Sequence, residues 1–195
     1  MELRLASPED APALLAIYEN YIHTPITFET VLPTAAEFAR RIEDTLKEYP
    51  YLTLEEAGKP IGYAYCHRQR ERAAYGWNGE LSVYLAPEAR GRGLGALLYT
   101  RLMELLSLQN VKTVYAYVTL PNPASEALHK NLGFVLSGVD QNTGYKNGSW
   151  HDVACYSKAI GSYDLPPAPV IPFPALSKER VEAVLKRPLP QGEKM

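Results

Sequence analysis

The stretch Val83–Leu98, V-Y-L-A-P-E-A-R-G-R-G-L-G-A-L-L, constrains this chain more than any other. An apolar run enters a glycine-rich turn. Beyond it Leu94, Leu97, Leu98, Leu102 and Leu105 recur at helical spacing. A strand that feeds a helix through such a turn aims free N–H groups outward, with the positive helix end behind them. That geometry binds anions, phosphate above all. A tight strand-to-helix junction with no ligand gives the same residues, so the turn alone leaves both readings open. It is not a dinucleotide fingerprint, which needs G-x-G-x-x-G and an acid at the end of the next strand; here that strand ends Val118-Thr119-Leu120. Nor is it a P-loop, because the only Gly-Lys, Gly58-Lys59, is followed by proline.

Around that stretch the chain of 195 residues reads as one globular domain followed by an arm. A net charge of −2 argues against a general nucleic-acid or membrane-surface binder, since both need a basic face. Two cysteines, Cys66 and Cys155, make neither a disulfide framework nor a zinc site; they read as buried thiols. His23, His67 and His151 show no metal-ligand spacing, so no metal is expected. With no signal peptide or membrane span in view, the expected location is cytoplasmic.

Leu3 and Leu5 make a first strand, and Ser7-Pro8-Glu9-Asp10 starts a helix ending near Tyr21. Ile22 to Pro33 is an irregular connector. Thr34 caps a second helix through Phe38, Ile42 and Leu46 that stops before Pro50. Tyr51–Glu56 and Ile61–His67 form a hairpin about Gly58-Lys59. An arginine-rich loop, Arg68–Gly79, leads to the strand Leu81–Leu85 and to a long helix ending near Leu108. Strand Val111–Thr119, a short helix Ala124–Asn131 closed by Gly133, a strand starting at Phe134, a turn region Asn142–Ser149 and a final strand Trp150–Ser157 follow. This order predicts an α/β fold with a mostly antiparallel central sheet and helices on both faces. Residues 1–162 are read as the domain. Residues 163–195 are read as a proline-rich arm over the surface, with room for a small helix at Lys178–Leu185.

At Arg90-Gly91-Arg92-Gly93-Leu94-Gly95 the sequence resembles the acetyl-CoA motif of the GNAT family of N-acetyltransferases, Arg/Gln-x-x-Gly-x-Gly/Ala. Asn122, Ser125 and Leu132-Gly133-Phe134 match the segment after it. The resemblance is closest to the phosphinothricin and methionine sulfoximine acetyltransferase group. It is carried by Thr27-Phe28-Glu29, Pro33-Thr34, Gly62-Tyr63-Ala64, Arg70 to Tyr75, Glu80 before Ser82-Val83-Tyr84, and Trp150-His151-Asp152-Val153. It spans roughly Leu3 to Pro172. Gln69 and Asn78 depart from it, where the group tends to have an aromatic and a threonine. The resemblance implies a sheet splayed at its two central strands, with acetyl-CoA inserted there as co-substrate. It also implies transfer to the α-amino group of a small amino-acid-like molecule.

An ammonium must lose a proton before it can attack a thioester, so a base is required. Glu80, at the mouth of the strand leading to the glycine turn, is the candidate, and the resemblance implies the same role. Its bland alternative is a solvated glutamate. Backbone N–H groups of Ser82, Val83, Tyr84 and Leu85 would polarise the thioester oxygen if a bulge freed a donor. Arg90 through Gly95, with Ala96 behind them, would hold the pyrophosphate, and Asn122 and Ser125 the pantetheine arm; Asn122 also fits a helix cap. His129 stands where many members of the wider family place a tyrosine that protonates the departing thiolate; a buried structural histidine is the alternative. Arg70 and Arg72, with Tyr75 between, suit a carboxylate, and Phe28 and Glu29 could wall the acceptor side. Tyr145 and Trp150 follow a turn that in the group lies near a two-fold interface, so a homodimer is expected. Two alternatives stay open: acetylation of a different amine, such as a polyamine or a protein N-terminus, and an acetyl-CoA-binding module without turnover.

Overall fold

In a computed structural model that describes residues 1–188, the chain forms a seven-stranded sheet in the order β1-β2-β3-β4-β5-β7-β6. The strands are β1 (Glu2–Leu5), β2 (Tyr51–Glu56), β3 (Lys59–Arg68), β4 (Asn78–Leu85), β5 (Thr113–Thr119), β6 (Val135–Lys146) and β7 (Ser149–Ala159). The helices are α1 (Ala11–Ile22), α2 (Ala35–Leu46), α3 (Leu94–Leu108), α4 (Pro123–Asn131) and α5 (Lys178–Leu185). Only β4 and β5 run parallel. All other neighbours are antiparallel, which is the expected sheet.

Helices α2, α4 and α5 start where a side chain takes up otherwise orphaned N–H groups. Thr34 Oγ1 accepts from Glu37 N at 3.2 Å, and the Glu37 carboxylate accepts from Thr34 N at 2.8 Å, a closed capping box for α2. Asp10 accepts from Ser7 N at 2.7 Å, while Arg4 grips its carboxylate, so the first turn of α1 is tied to β1. Tyr18 of α1 meets Tyr84 edge-on at 5.1 Å and Phe38 of α2 meets Tyr63, so both helices cover one sheet face. On the other face the buried Leu98, Leu102 and Leu105 of α3 complete the core.

Two sequence readings need correction. The strand before the glycine turn begins at Asn78, not Leu81, so Glu80 lies inside β4 rather than at its mouth. Asn142–Ser149 is not a turn region. Strand β6 runs to Lys146, with irregularities near Asp140 and Gly144, and the turn is Asn147-Gly148, both at positive φ. That pair is the ordinary two-residue hairpin connection. Asn142 also has positive φ, but inside the strand, where its N–H donates to Asp152 at 2.8 Å.

The arm crosses the domain in extended form. Trp77 Nε1 donates to Ala168 O at 2.7 Å, Asn110 Nδ2 to Pro169 O at 2.9 Å, and Gln109 Nε2 to Ile171 O at 2.8 Å. Helix α5 forms where expected and buries Val181 and Val184. The last part of the arm, 189–195, lies outside the described residues. No helix among the described residues is long and apolar enough to cross a membrane. Cys66 is buried as expected, whereas Cys155 is half-exposed.

Candidate active site

Strands β4 and β5 stay paired only at Asn78–Thr113, Gly79–Val114 and Glu80–Tyr115. Beyond Glu80 they part, so the splay opens at that residue. Along β4 alternate residues turn their backbone groups to opposite sides. Ser82 and Tyr84 face β3, in an unbroken register that includes Tyr65–Ser82 and Tyr63–Tyr84. Leu81 and Leu85 face the gap, but both are occupied. Tyr99 Oη donates to Leu81 O at 3.1 Å, and Tyr21 Oη donates to Leu85 O at 2.6 Å while accepting from Leu85 N at 3.1 Å. By the same alternation Val83 turns into the gap. The β3–β4 pair carries no bulge, and the splay frees a donor instead. Of the four N–H groups considered, Ser82 to Leu85, this leaves Val83.

The turn beyond β4 has the features of an anion cradle. Gly91 and Gly93 take positive φ, 70° and 73°, with open space where a side chain would stand. Gly93 caps α3 without a side chain, so the N–H groups of its first turn, through Ala96, have no side-chain acceptor. The two arginines are committed elsewhere. Arg92 forms a two-bonded pair with Glu56, at 2.7 and 3.1 Å, and Arg90 lies over the Tyr21 ring at 4.8 Å. The turn therefore offers backbone rather than guanidinium groups. Sequence reasoning missed Tyr21, which both pins the end of β4 and carries Arg90.

Glu80 is half-buried, and burial raises its carboxyl above the usual range while His67 opposes that rise. His67 Nε2 lies 3.5 Å from Glu80 Oε1. Tyr65, paired with Ser82 across β3 and β4, lines the same cavity as Glu29 and His67. Glu29 and His67 also line a cavity of about 340 Å³ between α1, α2 and the sheet, walled by Tyr18, Phe38, Tyr51 and Tyr63.

The other acceptor-side residues form two groups. Arg70 lies over the Tyr75 ring at 5.0 Å on the exposed loop, beside Arg72. Gln69 Nε2 donates to Tyr117 Oη at 2.9 Å, which ties that loop to β5. Phe28 and Glu29 are held by the β6–β7 hairpin. The Phe28 ring packs on Gly144, where a Cβ would come within 2.2 Å of it, and Lys146 Nζ donates to Thr27 O and Glu29 O at 2.6 and 2.7 Å. Glu29 is further fixed by Arg41 at 2.6 Å.

Helix α4 is capped by Asn122 Oδ1, which accepts from Ser125 N at 3.2 Å, so the cap reading of Asn122 holds. His129 is buried among Tyr99, Phe134 and Tyr156. Its Nδ1 donates to Ser125 O at 2.7 Å. Burial pushes the ring below the ordinary histidine range, while the bond to Ser125 O opposes that. An acid for the thiolate needs a proton on Nε2, and that nitrogen has no hydrogen-bond partner among the described residues. Among the described residues no cluster of His, Cys, Asp or Glu could hold a metal ion.

A family comparison decides what this arrangement belongs to. The acetyltransferase (GNAT) domain family matches residues 3–155. The chain belongs to the GNAT family. It is an N-acetyltransferase, and its splayed mixed sheet is the fold of that family. The GNAT chain is 36% identical over 173 residues to the phosphinothricin N-acetyltransferase of Streptomyces viridochromogenes, covering 88% of this chain and 94% of the relative. It is 34% identical over 154 residues to the L-methionine sulfoximine/L-methionine sulfone acetyltransferase of Pseudomonas aeruginosa, covering 77% and 90%. A crystal structure of a GNAT phosphinothricin acetyltransferase from Sinorhizobium meliloti in complex with acetyl-CoA superimposes with a TM-score of 0.81. That pair is 36% identical and covers 89% and 96% of the two chains.

Proposed function

We propose that this enzyme moves an acetyl group from acetyl-CoA to the α-amino group of a small amino-acid-like acceptor, with Glu80 as general base. The observation that carries the reading is the position of Glu80 at the last paired residue of β4, where the splay opens. The likeness to acetyltransferases of phosphinothricin and methionine sulfoximine supports the substrate class. The acetyl-CoA complex of the Sinorhizobium relative supports the cofactor.

Acetyl-CoA supplies the acetyl group already activated as a thioester. The N–H groups of Gly91 to Ala96 fit its pyrophosphate, because the glycines open the turn and the start of α3 is uncapped by any side chain. Asn122 Nδ2 and Ser125, at the start of α4, are the proposed contacts to the pantetheine arm. Val83 N–H polarises the carbonyl oxygen from the gap. Glu80 removes the acceptor's proton. Its burial brings the carboxyl closer to neutrality than an exposed glutamate and makes it a stronger base. Arg70 and Arg72 take the acceptor's carboxylate, and Glu29 and Phe28 close the opposite side. His129 anchors α4 through the packing of its ring among Tyr99, Phe134 and Tyr156.

A dimer is part of the proposal. Tyr145 and Trp150, 61% and 62% exposed, lie together on the β6–β7 hairpin with ring centroids 5.3 Å apart. Val135, Leu136 and Val139 are exposed on the same edge strand. An apolar stripe on a sheet edge is what a second copy would cover.

The experiment is a thiol-release assay with acetyl-CoA and a panel of amines that includes phosphinothricin, methionine sulfoximine, polyamines and peptide N-termini. Turnover confined to the amino-acid-like acceptors is expected. Preference for a polyamine or peptide would overturn the substrate class.

A further inference from the structure

Among the titratable groups that sequence reasoning left aside, His67 is the one the structure joins to the site. The ring stands opposite Glu80 across the β3–β4 pair, with Nε2 3.5 Å from Oε1. Its other nitrogen, Nδ1, lies 3.1 Å from Arg68 O. A carbonyl oxygen accepts and does not donate, so Nδ1 carries the ring's proton and Nε2 turns its lone pair to the carboxyl. Two bare lone pairs at that distance repel. The pair is favourable when one proton lies between them, on either atom.

The surroundings leave His67 with Glu80 as its electrostatic partner. Across the cavity stand Glu29, Arg41 and Asp44. Glu29 and Arg41 pair with each other at 2.6 Å, and Asp44 pairs with Lys47 at 2.7 Å. Tyr51 and Tyr65 complete the near walls and are held neutral by burial. The His67 side chain is 44% exposed, against 24% for Glu80, and it also lines the cavity. Substrates seated over Glu80 would close its own access to water, while His67 keeps a route out.

We propose that His67 carries the acceptor's proton from Glu80 to solvent, as a positioning residue and proton carrier acting through the carboxylate. The inference rests on Glu80 being the base. The transfers balance. An N–H bond of the acceptor's ammonium breaks as an O–H bond forms on Glu80. That O–H bond breaks as an N–H bond forms on His67 Nε2. The imidazolium then gives a proton to water or a buffer base, which restores the neutral ring and the carboxylate. The 3.5 Å separation suits a resting enzyme, in which such bonds are often longer than in the working complex.

The test is the pH dependence of kcat and kcat/KM for the full-length wild type, H67F, H67Q and E80Q, with near-UV circular dichroism as the folding control. Imidazole is added to H67G as the rescue arm. In H67F and H67Q, kcat should fall about tenfold, a fraction of what a base contributes. The acid limb of kcat/KM should move up, because burial then raises the Glu80 carboxyl without His67 to oppose it. Imidazole should restore most of the lost kcat in H67G, and the KM for acetyl-CoA should stay put. Folded H67F and H67Q with wild-type kcat and acid limb, beside an inactive E80Q, would overturn the relay and leave the base intact. A loss that is equal at every pH and unmoved by imidazole would overturn it too. An active E80Q would instead remove Glu80 as the base, and the relay with it.

Discussion

The glycine turn after β4 and the acceptor face around Glu80 lie at opposite ends of one strand, yet they are made in different ways. The turn is local. Arg90 to Gly95 are consecutive, two of the glycines take positive φ, and the useful groups are backbone N–H. The proposed acceptor face is assembled from distant pieces: Glu29 from the α1–α2 connector, Arg70 from the β3–β4 loop, Glu80 from β4, and Lys146 from the end of β6 to hold the first of these in place. A local backbone feature tolerates change in its side chains and fails when its φ is denied. An assembled face fails one side chain at a time.

The largest effect should fall on the assembled face. E80Q keeps the size of the side chain and removes its basicity, so kcat should fall about a hundredfold or more at neutral pH, with acetyl-CoA binding unchanged by calorimetry. The turn should answer to φ instead. G93V forces a β-branched residue to 73°, at a cost of about 1–2 kcal/mol, and should raise the KM for acetyl-CoA about tenfold without moving the KM for the amine. R92A, by contrast, should change that KM little, because the Arg92 guanidinium is already spent on Glu56. If R92A proved as harmful as G93V, the turn would be a side-chain site after all.

Smaller effects sharpen the division. R70A should raise the KM for the amine severalfold with kcat nearly unchanged, the loss of an exposed charge-assisted contact. Y21F removes the hydroxyl that holds Leu85 N–H and C=O, and should lower unfolding stability by about 1 kcal/mol in a denaturant titration. H129F should keep most of kcat, since an apolar ring can take over the packing against Tyr99, Phe134 and Tyr156. A hundredfold loss of kcat in a folded H129F would point to it as the thiolate's acid.

The same division explains what could be read before the structure. Helices and strands whose signals are contiguous were legible: the Thr34 cap of α2, the leucines of α3, and the short helix at Lys178–Leu185. The β6–β7 hairpin was misread because Asn142-Thr143-Gly144 and Asn147-Gly148 carry the same local turn chemistry. What separates them is long-range pairing, which puts Asn142 in a strand irregularity and Asn147-Gly148 at the tip. His67 was invisible as a partner of Glu80 because their meeting depends on the register of β3 against β4, and Tyr21 because it reaches Leu85 from another helix. The burial of His129 was not legible either. Nothing in its immediate sequence tells of Tyr99 and Tyr156 closing over it.

The most direct measurement is a crystal structure of the enzyme with coenzyme A. It should show the pyrophosphate within hydrogen-bond distance of the N–H groups between Gly91 and Ala96, and the sulfur in the gap between β4 and β5, near Val83 N–H and Glu80. A nucleotide seated elsewhere, or a sulfur on the far side of the sheet from Glu80, would contradict it.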